Sequence, residues 1–423
     1  MSTLAVIAAV IFIAAYALII SEKIDRTVVA LGGGVILVII GVLSQEEAFL
    51  SIDFNTLGLL ISMMVIVMIT QKTGVFEYLA VKAVKISRGE PWLIMALMSL
   101  ITAVASAFLD NVTTILLILP ITLSVAKDLR LNPVPFVISE VFASNVGGTA
   151  TLIGDPPNIM IGAKTGMGFM DFIKNDAPVI IPLIFITIAA FVLIYRKKLH
   201  TKDEYKLKVL MLNENEMIKD KRLLIKSLTI LGLTIAGFIV HGFIGLESTT
   251  VAMVGAVLLM LLSGIKVERI LKEVEWKTIF FFAGLFMMVG GLEKVGILKM
   301  IAQGVVDITG CDMTMTTLAI LWVSALASAF LDNIPFVATM IPMIQALGTM
   351  GVDNLGPLWW ALSLGACLGG NGTIIGASAN VVASGMAEEA GHKITFAGYF
   401  KVSFPVMLIT IAVCTVYLLI FYL

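Results

Sequence analysis

Long apolar runs separated by short polar stretches make up most of the chain. Runs over 3–20, 27–43, 54–72, 177–195, 226–241, 248–264, 277–292 and 402–422 predict membrane-spanning helices, since crossing the hydrocarbon takes about 20 residues. Two further apolar regions are interrupted. The stretch from Trp92 to Ala126 carries Asp110-Asn111 at its middle. The stretch from Phe136 to Gly162 carries Gly147-Gly148 and then Gly154-Asp155-Pro156-Pro157. The same interruptions return at Asp332-Asn333 and at Gly369-Gly370-Asn371-Gly372. Glycine and proline at this density would end a soluble helix, but in a membrane they are tolerated where the freed backbone lines a cavity or faces protein.

These recurrences share one register. The sequence SAFLDN at Ser106–Asn111 reappears at Ser328–Asn333, 222 positions later. Pro120 with Pro342, Gly147-Gly148 with Gly369-Gly370, Thr151 with Thr373, Gly154 with Gly376 and Asn158 with Asn380 keep that spacing. A constant offset over so long a stretch marks an internal duplication. The expected division is a first repeat at 1–195 with a hairpin near 92–126, a basic linker at 196–225, and a second repeat at 226–423 with a hairpin near 313–347. If each Asp-Asn stretch enters and leaves the membrane on one side, each half crosses five times and the second half is inverted. Charge favours this arrangement. Lys72, Lys82, Lys85, Arg88, Lys127, Arg130, the linker and the group Lys266–Lys277 fall on one side, with Glu46, Glu47 and Asp53 opposite. The positive-inside rule then predicts a cytoplasmic linker and both termini outside. The fold expected is an all-α polytopic membrane protein of about ten transmembrane helices, two re-entrant hairpins and discontinuous helices in an inverted two-fold repeat.

Composition supports a lipid-facing surface. Of 423 residues 59% are hydrophobic and 13% charged, where a soluble protein carries about a quarter charged, and the mean hydropathy is +1.04. A net charge of −1 gives no sign of a nucleic-acid partner. Three scattered cysteines, Cys311, Cys367 and Cys414, form no CxxC pair, so neither a disulfide framework nor a structural metal site is expected. No phosphate-binding GxxxxGK[ST] motif occurs, no nucleophile–base set suggests an enzyme, and no cofactor is implied. Leu4–Ile20 lacks a preceding basic residue and a small-residue cleavage site, so it is read as a mature helix rather than a secretory signal.

The polar residues of the interrupted regions are the candidate chemistry. A carboxylate deep in hydrocarbon costs a few kcal/mol, and Asp110 and Asp332 occupy matched positions. Each also suits the cap of a short half-helix, a role compatible with facing a cavity. Asn111 and Asn333 offer donors and acceptors. Thr113 has no hydroxyl counterpart, because Pro335 stands at the matched position. Asn145, Thr149, Thr151, Asp155 and Asn158 in the first broken region, with Asn371, Thr373 and Asn380 in the second, complete the expected binding set. Asp155 is matched by Ala377 and is read two ways, as a proton or cation site or as a helix cap. Pro120 and Pro342 are expected to end or kink the returning arms. Glu140 is read as a snorkelling surface side chain, and methionines such as Met63, Met64 and Met68 as filler in lipid-facing runs.

The segments SAFLDNVTTILLILPITL and EVFASNVGGTATLIGDPPNIMIG resemble the ion transporter superfamily. Within it they are most similar to the branch holding arsenite efflux permeases, NhaD-type sodium–proton antiporters and the pigmentation P protein. The resemblance is strongest over 100–162 and is echoed over 322–385. It implies a scaffold domain and a transport domain with Asp110-Asn111 and Asp332-Asn333 at the hairpin tips, and 145–158 and 367–380 as unwound helices beside them. The dicarboxylate branch carries Ser-Asn-Thr at its tips. Aspartate here argues against an anionic substrate. The function expected is a secondary transporter of the cytoplasmic membrane, exporting arsenite or antimonite by proton coupling through Asp110, Asp332 and Asp155. A sodium–proton antiporter is the alternative, with a channel or an organic-anion transporter behind it. An ATPase subunit or a second copy are the partners considered.

Overall fold

The computed structural model describes residues 2–21, 23–211 and 213–423, without the side chains of 243 and 244. Among the described residues there is helix and turn but no strand. The first half contains α1 (Thr3–Ser21), α2 (Arg26–Ile39), α3 (Gln45–Leu50), α4 (Phe54–Gln71), α5 (Val75–Ile86) and α6 (Pro91–Ser106). It continues with α7 (Asn111–Asp128), α8 (Val134–Thr149), α9 (Pro156–Thr165), α10 (Phe169–Asn175) and α11 (Ala177–Tyr195). A short surface helix, α12 (Asp203–Leu210), lies in the basic segment. The second half contains α13 (Lys221–Ile244), α14 (Ser248–Ser263), α15 (Val267–Leu271), α16 (Trp276–Lys294) and α17 (Ile297–Thr309). It ends with α18 (Met313–Phe330), α19 (Asn333–Thr349), α20 (Gly356–Gly369), α21 (Ser378–Glu389) and α22 (Phe396–Phe421).

Shifted by 222 positions, α2 to α9 fall on α14 to α21, and α11 falls on α22. Among the described residues, eight helices are long and apolar enough to cross a membrane, and α2, α6 and α14 are shorter apolar helices. Packing follows the same register: α2 lies on α16 as α14 lies on α4, and α6 on α8 as α18 on α20. The halves also interlock, with α9 against α19 and α21 against α7.

Aspartate caps set many of the boundaries. Asp53, Asp110, Asp312 and Asp332 each accept a backbone N–H in the first turn of the helix they precede. Lipid cannot supply such partners, so each helix start must carry its own. The turn from α4 into α5 and its repeat, from α16 into α17, use Gly74 and Gly296 at φ 83° and 81°, where a Cβ would be strained. Pro120 and Pro342 lie inside α7 and α19, so neither proline ends its arm. The preceding carbonyls they leave free sit in helices that pack on protein, which is where such breaks are tolerated.

Helices α8 and α20 occupy the centre. Every residue from Pro135 to Thr149 and from Pro357 to Gly369 is buried, so both helices face protein all round. Two glycines permit this. A Cβ on Gly147 would stand 2.1 Å from the Ala103 carbonyl oxygen, and one on Gly369 would stand 2.5 Å from that of Ala325. These close approaches bring the broken ends of α8 and α20 against α6 and α18.

Two expectations fail here. Glu140 does not snorkel: it is wholly buried in α8, where Thr122 Oγ1 donates to Oε1 at 2.7 Å. Met63 and Met64 are buried in the protein interior rather than turned to lipid. In both cases the surrounding helices, which hydropathy does not report, cover the face.

Candidate functional site

The polar centre forms where two helix starts and two helix breaks converge. Asp110 and Asp332 precede α7 and α19, so Asn111 and Asn333 become first-turn residues whose side chains point inward. Helix α8 ends at Thr149 and α9 begins at Pro156. Likewise α20 ends at Gly369 and two tight 3₁₀ turns lead to α21 at Ser378.

Four of the expected asparagines meet in one buried network. Asn111 Nδ2 donates to Asn145 Oδ1 at 3.0 Å. Asn145 Nδ2 donates to Asn371 Oδ1 and to Asn380 Oδ1, each at 2.9 Å. Asn380 Nδ2 in turn donates to the carbonyls of Gly370 and Thr373, both at 2.8 Å. Asn158 repeats that geometry in the other half, donating to the carbonyls of Thr149 and Thr151. Its Oδ1 accepts from Ser363 Oγ at 2.7 Å and lies 3.6 Å from Cys367 Sγ. Since Cys367 is the repeat mate of Asn145, the two halves offer an amide and a thiol at matched points. Each asparagine thus spans a helix break and ties it to the opposite half. An unmade bond in such a place costs about 1–3 kcal/mol, so the network fixes the geometry of both breaks.

The threonines serve the backbone. Thr149 donates to the Asn145 carbonyl, Thr151 to that of Ala107 and Thr373 to that of Ala329. The last two hold a hairpin turn against a broken helix in each half. Thr113 differs: its hydroxyl is buried without a partner, and the residue lines a cavity of about 460 Å³ with Gln71, Lys72, Glu273 and Glu275. A second cavity, of about 600 Å³, is lined at the matched positions by Glu293, Lys294, Ser51 and Asp53.

The three candidate aspartates stand in different surroundings. Asp155 is wholly buried and faces Asn333 Nδ2 at 3.3 and 3.4 Å, with no cation in contact among the described residues. It makes no cap hydrogen bond. Asp110 accepts the Thr113 amide at 2.9 Å. Asp332 accepts the Ile334 amide with Oδ1, while Oδ2 receives Ser378 Oγ at 2.7 Å and the Arg26 guanidinium at 3.0 Å. A cavity of about 620 Å³ opens beside this group, lined also by Glu275 and Lys277.

Arg26, Ser363, Ser378 and Asp176 are the residues that the sequence reading missed. Arg26 stands at the start of an apolar run, where its signal is that of an interfacial anchor. It has no counterpart in the repeat, since Ser248 occupies the matched position. Ser363 carries no motif, Ser378 lies inside the 367–380 segment but has Pro156 as its repeat mate, and Asp176 lies at the edge of a long apolar run.

Paired broken helices around a buried polar centre, in a chain of apolar helices, define a membrane transporter. The chain belongs to the CitMHS family, described as citrate transporters, whose profile matches residues 16–365, and with it to the ion transporter superfamily. It is 42% identical over 421 residues to an uncharacterized transporter of Mycobacterium bovis, covering 98% of each chain. It is 42% identical over 426 residues to a 46 kDa membrane protein of Mycobacterium leprae. It is 35% identical over 498 residues to the P protein of Sus scrofa, covering 98% of this chain and 59% of that one. The YdaH transporter of Alcanivorax borkumensis has a similar fold, with TM-score 0.58 over 91% of this chain and 87% of that one at 14% identity.

Proposed function

We propose that this transporter works as a proton-coupled secondary exporter of a small uncharged hydroxide, arsenite or antimonite being the best fit. The observation that carries the reading is the buried Asp155 carboxylate, which faces the Asn333 amide beside a network of neutral amides and meets no cation among the described residues. Neutral donors and acceptors suit a polar solute without charge. An intramembrane carboxylate without a cation partner among the described residues suits a proton that binds and leaves. Export follows if protonation of Asp155, or of Asp110 and Asp332 at the helix starts, is linked to alternating exposure of the centre. The linker 196–225 is assigned to the cytoplasm and both termini to the outside, each half being an inverted unit with a re-entrant hairpin.

A sodium–proton antiporter is the second reading, favoured by the same carboxylate as a shared Na⁺ and H⁺ site. Citrate, the substrate in the family's description, is a polyanion. The centre offers it a buried carboxylate, and Arg26 is already engaged with Asp332.

The test is proton movement in inside-out vesicles on adding arsenite, sodium or citrate, with Asp155→Asn as the comparison. A response to arsenite that Asp155→Asn abolishes supports export. A response to sodium alone makes the protein an antiporter, and one to citrate alone overturns both readings.

A further inference from the structure

Asp176 belongs to none of the contacts above except through Ser363. It lies between α10 and α11 with its side chain wholly buried. Its Oδ2 stands 2.6 Å from Ser363 Oγ, and the same Oγ stands 2.7 Å from Asn158 Oδ1. The orientation of Asn158 is fixed, because its Nδ2 donates to the carbonyls of Thr149 at 3.1 Å and Thr151 at 2.9 Å. A flipped amide would set oxygen against both. Ser363 is therefore flanked by an amide oxygen and a carboxyl oxygen, and a serine hydroxyl has one hydrogen. One of the two contacts lacks a proton if Asp176 is ionised.

Its surroundings offer no cation. No lysine, arginine or histidine among the described residues lies within ion-pair distance of Asp176. Its other oxygen, Oδ1, is buried with no partner among the described residues. The titratable groups near it are Cys367 on α20, Cys414 and Tyr417 on α22, and Tyr422 just beyond α22. All are neutral in their protonated forms. An ionised carboxylate without compensation is costly to bury, whereas the acid form supplies the proton that the contact with Ser363 lacks.

From this geometry we infer that Asp176 is a proton-binding site, holding a proton that it donates to Ser363 while Ser363 donates to Asn158. The chain thus joins Asp176 to the broken helix of the first half. Tyr417 and Tyr422 bind the preceding residue, donating to Asn175 O at 2.7 Å and Asn175 Oδ1 at 2.5 Å. A role for this proton in coupling rests on the proton-driven reading above; the protonation itself does not.

Infrared spectroscopy of the purified full chain tests the site. Asp176→Asn keeps the shape and a donor toward Ser363. The expected result is a carboxylic-acid C=O band near neutral pH that shifts in D₂O and disappears in Asp176→Asn. Ser363→Ala should move the band to higher frequency, and this variant serves if Asp176→Asn does not fold. A band unaffected by both changes, or no such band, overturns the site. In inside-out vesicles with arsenite as probe, efflux by Asp176→Asn should lose its dependence on the pH gradient. Retained dependence with the infrared band abolished makes Asp176 a fixed structural acid and overturns its coupling role. Wild-type vesicles that move no proton for arsenite, sodium or citrate sink the export reading, and the infrared result still decides the site.

Discussion

Arg26 and Asp332 are 306 positions apart in the chain and 3.0 Å apart in space. The pair connects the start of α2 to the start of α19, and Ser378 at the start of α21 bridges them. It pairs the aspartate before α19 with a cation, whereas Asp110 before α7 has no ion-pair partner among the described residues. Substituting either residue should slow transport, and the double substitution Arg26→Gln with Asp332→Asn should be no worse than the more severe single one. Arg26 is 35% exposed, so the thermodynamic coupling read from unfolding of the four proteins in detergent should be about 1 kcal/mol. A coupling of zero would mean the contact has no energetic content.

Close packing at the broken helices predicts a sharp contrast among glycines. Gly147→Ala and Gly369→Ala push a methyl group against backbone and should each destabilise the protein by about 1–3 kcal/mol. Gly32→Ala meets nothing within 4 Å and lies inside α2, so it should be neutral or stabilise by up to about 1 kcal/mol. Melting midpoints in one detergent decide the matter. Equal behaviour of the three variants would refute the packing argument.

The amide network predicts a loss larger than a single contact. Asn145→Ala removes the acceptor of Asn111 and the donor to Asn371 and Asn380, each worth about 1–3 kcal/mol when left unmade. Folded yield should fall and transport should cease. Cys367→Ser, by contrast, keeps a donor beside Asn158 Oδ1 and should retain both. If arsenite binding vanishes in Cys367→Ser while folding is intact, a thiol rather than the amides recognises the solute.

Glu47 gives a pH prediction outside the membrane-spanning helices. Hydrogen bonding from Lys294, then from the Ser44 backbone amide, holds its carboxyl down at about 2. A group depressed in the folded state stabilises above its unfolded value, and that contribution is lost as pH falls through the folded value. Glu47→Gln should therefore lower the melting midpoint equally at pH 6 and pH 8, and the gap to wild type should close only in strong acid. A gap that closes already near pH 5 would show that Lys294 does not hold the carboxyl.

By itself the sequence determined the helical class, the 222-residue register and the helix breaks, the Asp-Asn pairs among them. Hydropathy and glycine–proline spacing are local signals, and a duplication repeats them in full view. The asparagines were legible for the same reason, as polar residues in apolar surroundings. What only tertiary structure decided was partnership. Arg26 reaches Asp332 from the start of α2, and Ser363 reaches Asp176 and Asn145 meets Asn380 across 235 positions because α8 and α20 are packed together at the centre. The same packing buried Glu140 and Met63, whose side chains the chain's own polarity would have turned outward. Burial and pairing are set by which helices cover which faces, and one strand of sequence carries no record of that.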